Sequence, residues 1–196
     1  MVSHTLRAAL CAGALLLLMP LSTRAEEFVT QSDVDYVDTS PLRWMPSNRY
    51  QRLLAGALPA GHEGNRVFRL CRVSKAQDLH LGKWMEGQCH IGYGGREEVY
   101  DQYELAAVAD LKAFQRDYTW AAAPGATQGA PLPPAIAKAA LGGGYEHGRP
   151  VKACLGLRGT ERHAGKLIAN RCNYGYGGAE VVTDQFAVLV PRRLFP

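Results

Sequence analysis

The sequence predicts an all-β fold built from two tandem copies of one unit, and three observations carry that expectation. A glycine-rich segment occurs twice: Cys89–Glu97 reads CHIGYGGRE, and Cys172–Glu180 reads CNYGYGGAE 83 residues further on. Around both copies, short runs that partly alternate apolar and polar residues are bounded by Gly-containing turns, as in strands. Helical periodicity is scarce along the same stretches. Together these features indicate a sandwich or barrel. Each unit offers only four or five short strands, too few to bury a core alone. The expected architecture is therefore a β-sandwich in which the two units pack about a pseudo-twofold axis.

The repeat extends well beyond its glycine-rich segment. The same offset aligns Leu58 with Leu141, Gly61 with Gly144, Glu63 with Glu146 and Arg66 with Arg149. It also aligns His80 with His163, Gly82-Lys83 with Gly165-Lys166, and Asp101-Gln102 with Asp184-Gln185, with no gap from Leu58 to Gln102. Self-similarity this dense marks tandem structural units. In the first unit the expected strands are Val67–Val73, Trp84–Met85, Cys89–Tyr93 and Val99–Val108, with Ser74–Leu81 a polar loop. In the second they are Arg149–Leu155, Lys166–Ala169, Cys172–Tyr176 and Val181–Val190, after a Pro/Gly-rich loop from Pro124 to Pro134. A short helix is expected over Asn48–Ala55.

The N-terminus reads as an export signal. Arg7 ends a short basic region, Ala8–Met19 is apolar, and Thr23-Arg24-Ala25 offers small residues for cleavage after Ala25. The apolar run is too short to span a bilayer comfortably as a helix, and no second one approaches that length. The chain divides into a signal peptide (1–25), an acidic leader (26–43), a first repeat (44–119) and a second repeat (120–196). The expected location is the periplasm or the medium, after cleavage.

Export governs how the cysteines are read. Without Cys11 four remain, and an even number in an oxidising compartment implies two disulfides. Three connectivities are open in principle. The repeat favours Cys71–Cys89 and Cys154–Cys172, since a duplicated unit most simply keeps its own bond. Zinc ligation through His80 or His163 is disfavoured, because neither copy has C-x-x-C or H-x-x-x-H spacing.

Charge and motifs exclude several functions. The formal net charge of +4 falls further once Arg7 and Arg24 are removed, and no basic run resembles a nucleic-acid stripe. There is no G-x-S-x-G elbow, no H-E-x-x-H and no P-loop. Glu63 and Glu97, doubled by Glu146 and Glu180, could be cast as a glycosidase carboxylate pair. Two copies of every candidate suit a bivalent binder better than a single cleft. The expectation is a protein that is not an enzyme and needs no cofactor.

The order of these elements resembles a known family. Tryptophan, a Pro-rich loop, Gly-x-Glu, Arg/Lys-x-Cys, Gly-Lys, Cys and Gly-Tyr-Gly-Gly-x-Glu look like the DM9 repeat (domain of unknown function 3421), which occurs in tandem pairs. The resemblance covers Trp44–Val190. Two departures stand out: the first copy is shorter between its tryptophan and Leu58 than the second between Trp120 and Leu141, and proline is missing before both Gly-Lys elements (Leu81, Ala164). The resemblance implies a β-rich fold of paired repeats and a lectin activity of mannose type. It further implies that the acid of the Gly-x-Glu turn and the lysine of Gly-Lys hold the sugar hydroxyls, which here are Glu63 with Lys83 and Glu146 with Lys166.

That chemistry is sound without the analogy. A carboxylate accepts from two vicinal hydroxyls, and an ammonium donates to their oxygens. The bland alternative is a set of exposed ion pairs, which stabilise little. A lysine buried against a backbone carbonyl would remove its copy from the lectin reading. Glu97 and Glu180 are expected to orient backbone, Arg66/Asp101 and Arg149/Asp184 to pair structurally, and His80 and His163 to be solvated or at a site rim. Tyr93, Tyr176, Trp44 and Trp120 are expected in the core. The partner is then a glycan, with no nucleic acid and no membrane span, and a homodimer compatible with both. A secreted protein-binding module or inhibitor is the alternative, and a glycan-active enzyme stands third.

Overall fold

In the computed structural model, residues 41–48, 54–122 and 131–194 are described. The expected signal peptide, nearly all of the acidic leader and the middle of the expected helix lie outside them. The described chain is all-β, with strands β1 (Arg43–Pro46), β2 (Pro59–Glu63), β3 (Arg66–Lys75), β4 (Asp78–Met85), β5 (Gln88–Tyr93), β6 (Arg96–Tyr100) and β7 (Glu104–Ala107) in its first half. The helix α1 (Leu111–Asp117) and strand β8 (Tyr118–Ala122) follow, then α2 (Pro134–Ala139). The second half holds β9 (Gly142–Glu146), β10 (Arg149–Arg158), β11 (Glu161–Ile168), β12 (Arg171–Tyr176), β13 (Ala179–Thr183) and β14 (Phe186–Pro191). Neither helix announces itself by periodicity. The Asp110 side chain caps α1 by accepting from the Ala113 N–H at 3.0 Å.

All fourteen strands join one sheet in the order β1-β7-β3-β2-β11-β12-β13-β6-β5-β4-β9-β10-β14-β8. Further pairings of β3 with β4 and of β10 with β11 close it into a barrel. The ring β3-β2-β11-β10-β9-β4 crosses from one half to the other twice, where β2 meets β11 and where β9 meets β4. Strands β2 to β7 have counterparts 83 residues on in β9 to β14. When β2 to β7 are exchanged with these counterparts, and the end strands β1 and β8 with each other, the order reads the same from either end.

Period-two alternation gives the long strands two buried faces. Leu70 of β3 and Ala153 and Leu155 of β10 join a central cluster with Leu58, Leu81, Val151 and Ala164. Their neighbours on the strands point the other way. Cys71 and Val73 pack with Ile91, Leu105 and Tyr103, and Cys154 packs with Tyr174, Phe186 and Val188. The disulfides are Cys71–Cys89 and Cys154–Cys172, fully buried, with Cα–Cα distances of 6.0 and 5.8 Å. These are the bridges that the repeat favours. Each closes a loop of 18 residues and stabilises its half by about 3 kcal/mol on the chain-entropy argument.

The expected polar loop at Ser74–Leu81 is instead a hairpin. β3 runs to Lys75, β4 starts at Asp78, and the two paired strands turn on Ala76 and Gln77 at φ 50° and 68°. Both residues take the left-handed turn conformation that usually requires Gly, Asn or Asp, so no turn signal marks the position. The hairpins β5–β6 and β12–β13 turn on Gly94-Gly95 and Gly177-Gly178, each pair at φ 59° and 83°. This is the local reason for the glycine pairs in the repeated motif.

Candidate functional site

The lysines of the two Gly-Lys elements sit at matching positions on β4 and β11, opposite His90 on β5 and Asn173 on β12. Both are turned inward and only 2% exposed. A buried ammonium is costly unless paired and hydrogen-bonded. The molecule satisfies the two in different ways.

Lys83 donates to the carbonyl of Gly175, in the other half, at 2.6 Å. Its Nζ lies 3.3 Å from Glu97 Oε1, and 5.6 and 5.4 Å from the ring centres of Phe68 and Tyr176. Burial pushes Lys83 below the ordinary lysine range, against the pull of Glu97. Burial pushes the Glu97 carboxyl up. His90, at 3.1 Å, the Gly178 N–H at 2.9 Å and the Lys83 charge more than offset this and bring it to about 2. The sequence-based pairing of Lys83 with Glu63 is corrected here. Glu63 lies beside Arg66 at 3.9 Å, and Lys83 takes the glutamate of the Gly-Gly-x-Glu element instead. Lys83 also meets the stated condition for leaving the lectin reading, since it is buried against a backbone carbonyl.

Lys166 does meet its expected partner. It donates to Glu146 Oε1 at 3.0 Å and to His80 Nδ1, in the other half, at 3.0 Å, with its Nζ 5.3 Å from the Tyr93 ring centre. Burial pushes the Glu146 carboxyl up, and its contacts with His80 and Lys166 outweigh burial and hold it at about 2. The Glu146 side chain retains 13% exposure, although its Oε2 is buried.

The tyrosine of each Gly-Tyr-Gly-Gly segment links the halves. Tyr93 receives Lys166 from the other half and Lys75 at 4.6 Å from its own, with His80 edge-on at 4.9 Å. Tyr176 receives Lys83 from the other half and Arg158 at 4.2 Å from its own, with His163 edge-on at 4.9 Å. These rings hold cations over their faces. The glycine before each tyrosine is required by crowding across the halves. A Cβ on Gly92 would lie 2.9 Å from the Glu180 side chain, and one on Gly175 would lie 2.7 Å from that of Glu97. The same two glutamates accept from the opposite hairpin turns, Glu97 from Gly178 N–H and Glu180 from Gly95 N–H, both at 2.9 Å. Glu97 and Glu180 therefore orient backbone, and Glu97 also holds a lysine.

Other expectations change. His80 and His163 are fully buried rather than solvated. His163 stacks on Tyr174 at 5.1 Å and lies 3.4 Å from Glu161, and burial, followed by the Lys83 charge, pushes it down. Arg66 does not pair with Asp101: it approaches Glu86 at 3.3 Å, while Asp101 accepts from Gln88 at 2.9 Å. Sequence reasoning gave no role to Arg72, a fully buried guanidinium. It donates to Glu104 at 2.6 Å and to the Gly143 carbonyl at 2.7 Å, with the Trp44 ring centre 4.4 Å away. Among the described residues, no group of three or more His, Cys, Asp or Glu is placed to hold a metal. None of their helices is long and apolar enough to cross a membrane.

No family model and no curated protein matches the chain. Among solved structures it is similar to the nematode sperm cell motility protein MFP2B, at 17% identity and a TM-score of 0.48 over 69% of this chain. That similarity spans 42% of the other protein's length.

Proposed function

We propose that this chain is an exported, lectin-like carbohydrate-binding protein, made of two DM9-like repeats (44–119 and 120–196) joined about a pseudo-twofold axis. The observation that carries the reading is the meeting of Glu146 and Lys166. These residues, picked out by their place in the repeat, lie 3.0 Å apart with Tyr93 and His80 beside them. The Glu146 side chain, 13% exposed with Oε2 buried, is neutralised and fixed by Lys166, a carboxylate–ammonium pair of the kind that holds vicinal hydroxyls. Glu63 and Lys83 are not part of the proposed contact, because Lys83 is committed to Glu97 and to Gly175. The protein is then a binder with one working site per chain, and affinity for a single sugar is modest without clustering. One disulfide within each half fits a location outside the cytoplasm.

A glycan array tests this. Binding to mannose-type glycans is expected for the parent chain and for Lys83→Met. It should be lost in Glu146→Gln and Lys166→Met. Equal loss in all three variants, or no glycan signal together with tight capture of a protein, would replace the reading with that of a protein-binding module.

A further inference from the structure

One buried group touches both members of the proposed pair. His80, on β4, is fully buried, with Nδ1 3.0 Å from Lys166 Nζ and 3.7 Å from Glu146 Oε2. An ammonium has donors only, so Nδ1 is the acceptor and the neutral ring carries its proton on Nε2. The charged and titratable groups facing His80 are Lys166 from β11, Glu146 from β9, Tyr93 from β5 and Glu98 from β6. Glu98 is itself held by Lys75 from β3, at 2.6 Å, and by Tyr100.

We propose that His80 is a positioning residue for this site and makes it sensitive to pH. Neutral, His80 aims the Lys166 ammonium at Glu146. A proton taken from solvent onto Nδ1 converts the acceptor into a donor and sets two positive charges 3.0 Å apart in a buried place. His80 then competes with Lys166 for Glu146, and the arrangement that receives hydroxyls is lost. The control resides in one half only. At the matching position His163 lies 3.4 Å from Glu161 through Nε2. The first repeat thus regulates a site whose ligand-holding pair comes from the second.

The inference rests on the glycan reading only for its ligand, and the test separates the two. Nitrogen spectra of the imidazoles and lysine ammoniums of the full chain are followed from about pH 8 to about pH 5, where histidine takes up its proton. In parallel, binding to a mannan-coated surface is measured for the parent and for His80→Gln, whose amide oxygen accepts the same bond without titrating. The expected result is an Nε2–H tautomer at the higher pH, with Lys166 and Tyr93 signals moving at the midpoint of His80. Mannan binding by the parent should fall about twofold at that midpoint and about tenfold or more well below it, the worth of a hydrogen bond to a charged group, and that of His80→Gln should not. An Nδ1–H tautomer, or a Lys166 signal that stays still while His80 titrates, overturns the proposal whatever binds. If the spectra behave as expected but neither protein binds mannan, positioning stands and the glycan reading falls.

Discussion

The two halves of the chain place a lysine at the same point of the same strand, yet the two lysines choose different carboxylates. Lys83 takes Glu97, from the Gly-Gly-x-Glu element, and a backbone carbonyl of the other half. Lys166 takes Glu146, from the Gly-x-Glu turn, and a histidine of the other half. In the first case every partner is a fixed part of the junction between halves. In the second a histidine accepts directly from the lysine itself, so a change in that ring's charge reaches the ammonium. A duplicated scaffold can hold one copy of a motif as a fastening and free the other for a ligand.

The same divergence appears in the core, where it can be tested most sharply. Arg72 and Glu104 face each other across β3 and β7, and the counterparts Leu155 and Ala187 face each other across β10 and β14. One backbone register therefore accepts either a buried ion pair or an apolar pair. Removing one partner of such a pair strands a charge and costs about 3–5 kcal/mol. Glu104→Ala should lower the unfolding free energy by that amount in a urea titration. Arg72→Leu with Glu104→Ala copies the other half and should recover most of the loss. A double variant as unstable as the single one would show that the Gly143 and Trp44 contacts of Arg72 hold the halves together.

The carboxylates give the next largest effect. Both Glu97 and Glu146 are held at about 2 in the folded chain, against an ordinary value of 4.5. Each side chain is largely buried, at 10% and 13% exposure. A carboxyl depressed on folding adds stability that is complete above the unfolded value and lost as pH falls toward the folded one. Stability is therefore expected to hold above about pH 4.5 and to drop toward pH 2. At neutral pH, Glu97→Gln should cost about 3 kcal/mol and Glu146→Gln less, since a neutral His80 with an accepting Nδ1 gives that carboxyl no support, and near pH 2 both should cost almost nothing. Glu63→Gln removes only a half-exposed ion pair and should stay within about 1 kcal/mol at either pH. Equal costs for Glu63→Gln and Glu97→Gln would erase the contrast between the two halves.

The sequence made some of this legible and concealed the rest for identifiable reasons. The disulfides followed from an even cysteine count and a single offset, and the all-β class from alternation and glycine turns. The Glu146–Lys166 contact followed from the resemblance. The crossing of the halves did not, because pairing of β2 with β11 leaves no mark in either segment. The choice of Glu97 by Lys83 was hidden for the same reason, as it depends on how β5 and β12 approach at Gly92 and Gly175. A signal was available: a bare glycine beside a conspicuous tyrosine in both copies suggests a close neighbour. Arg72 was hidden because its counterpart is Leu155, so the repeat itself argues against giving it a role.

The smallest effect lies in the hairpin that looked like a loop. Ala76 takes a positive φ of 50° between β3 and β4, and its counterpart in the other half is Gly159, at φ 59°. A side chain in that conformation is strained, whereas glycine adopts it freely. A Cβ at Gly159 meets nothing within 4 Å, so conformation rather than space decides the preference there. Ala76→Gly relieves the strain but also loosens the unfolded chain, and the two effects oppose each other. The alanine costs roughly 1 kcal/mol in the left-handed region, and glycine concedes roughly 0.4–1 kcal/mol of unfolded-state entropy. The expected net is a gain of no more than about 0.5 kcal/mol. Gly159→Ala should lose a similar amount in the same urea titration. A loss of more than about 1 kcal/mol on Ala76→Gly would mean that the methyl group, not the turn, holds β3 against β4.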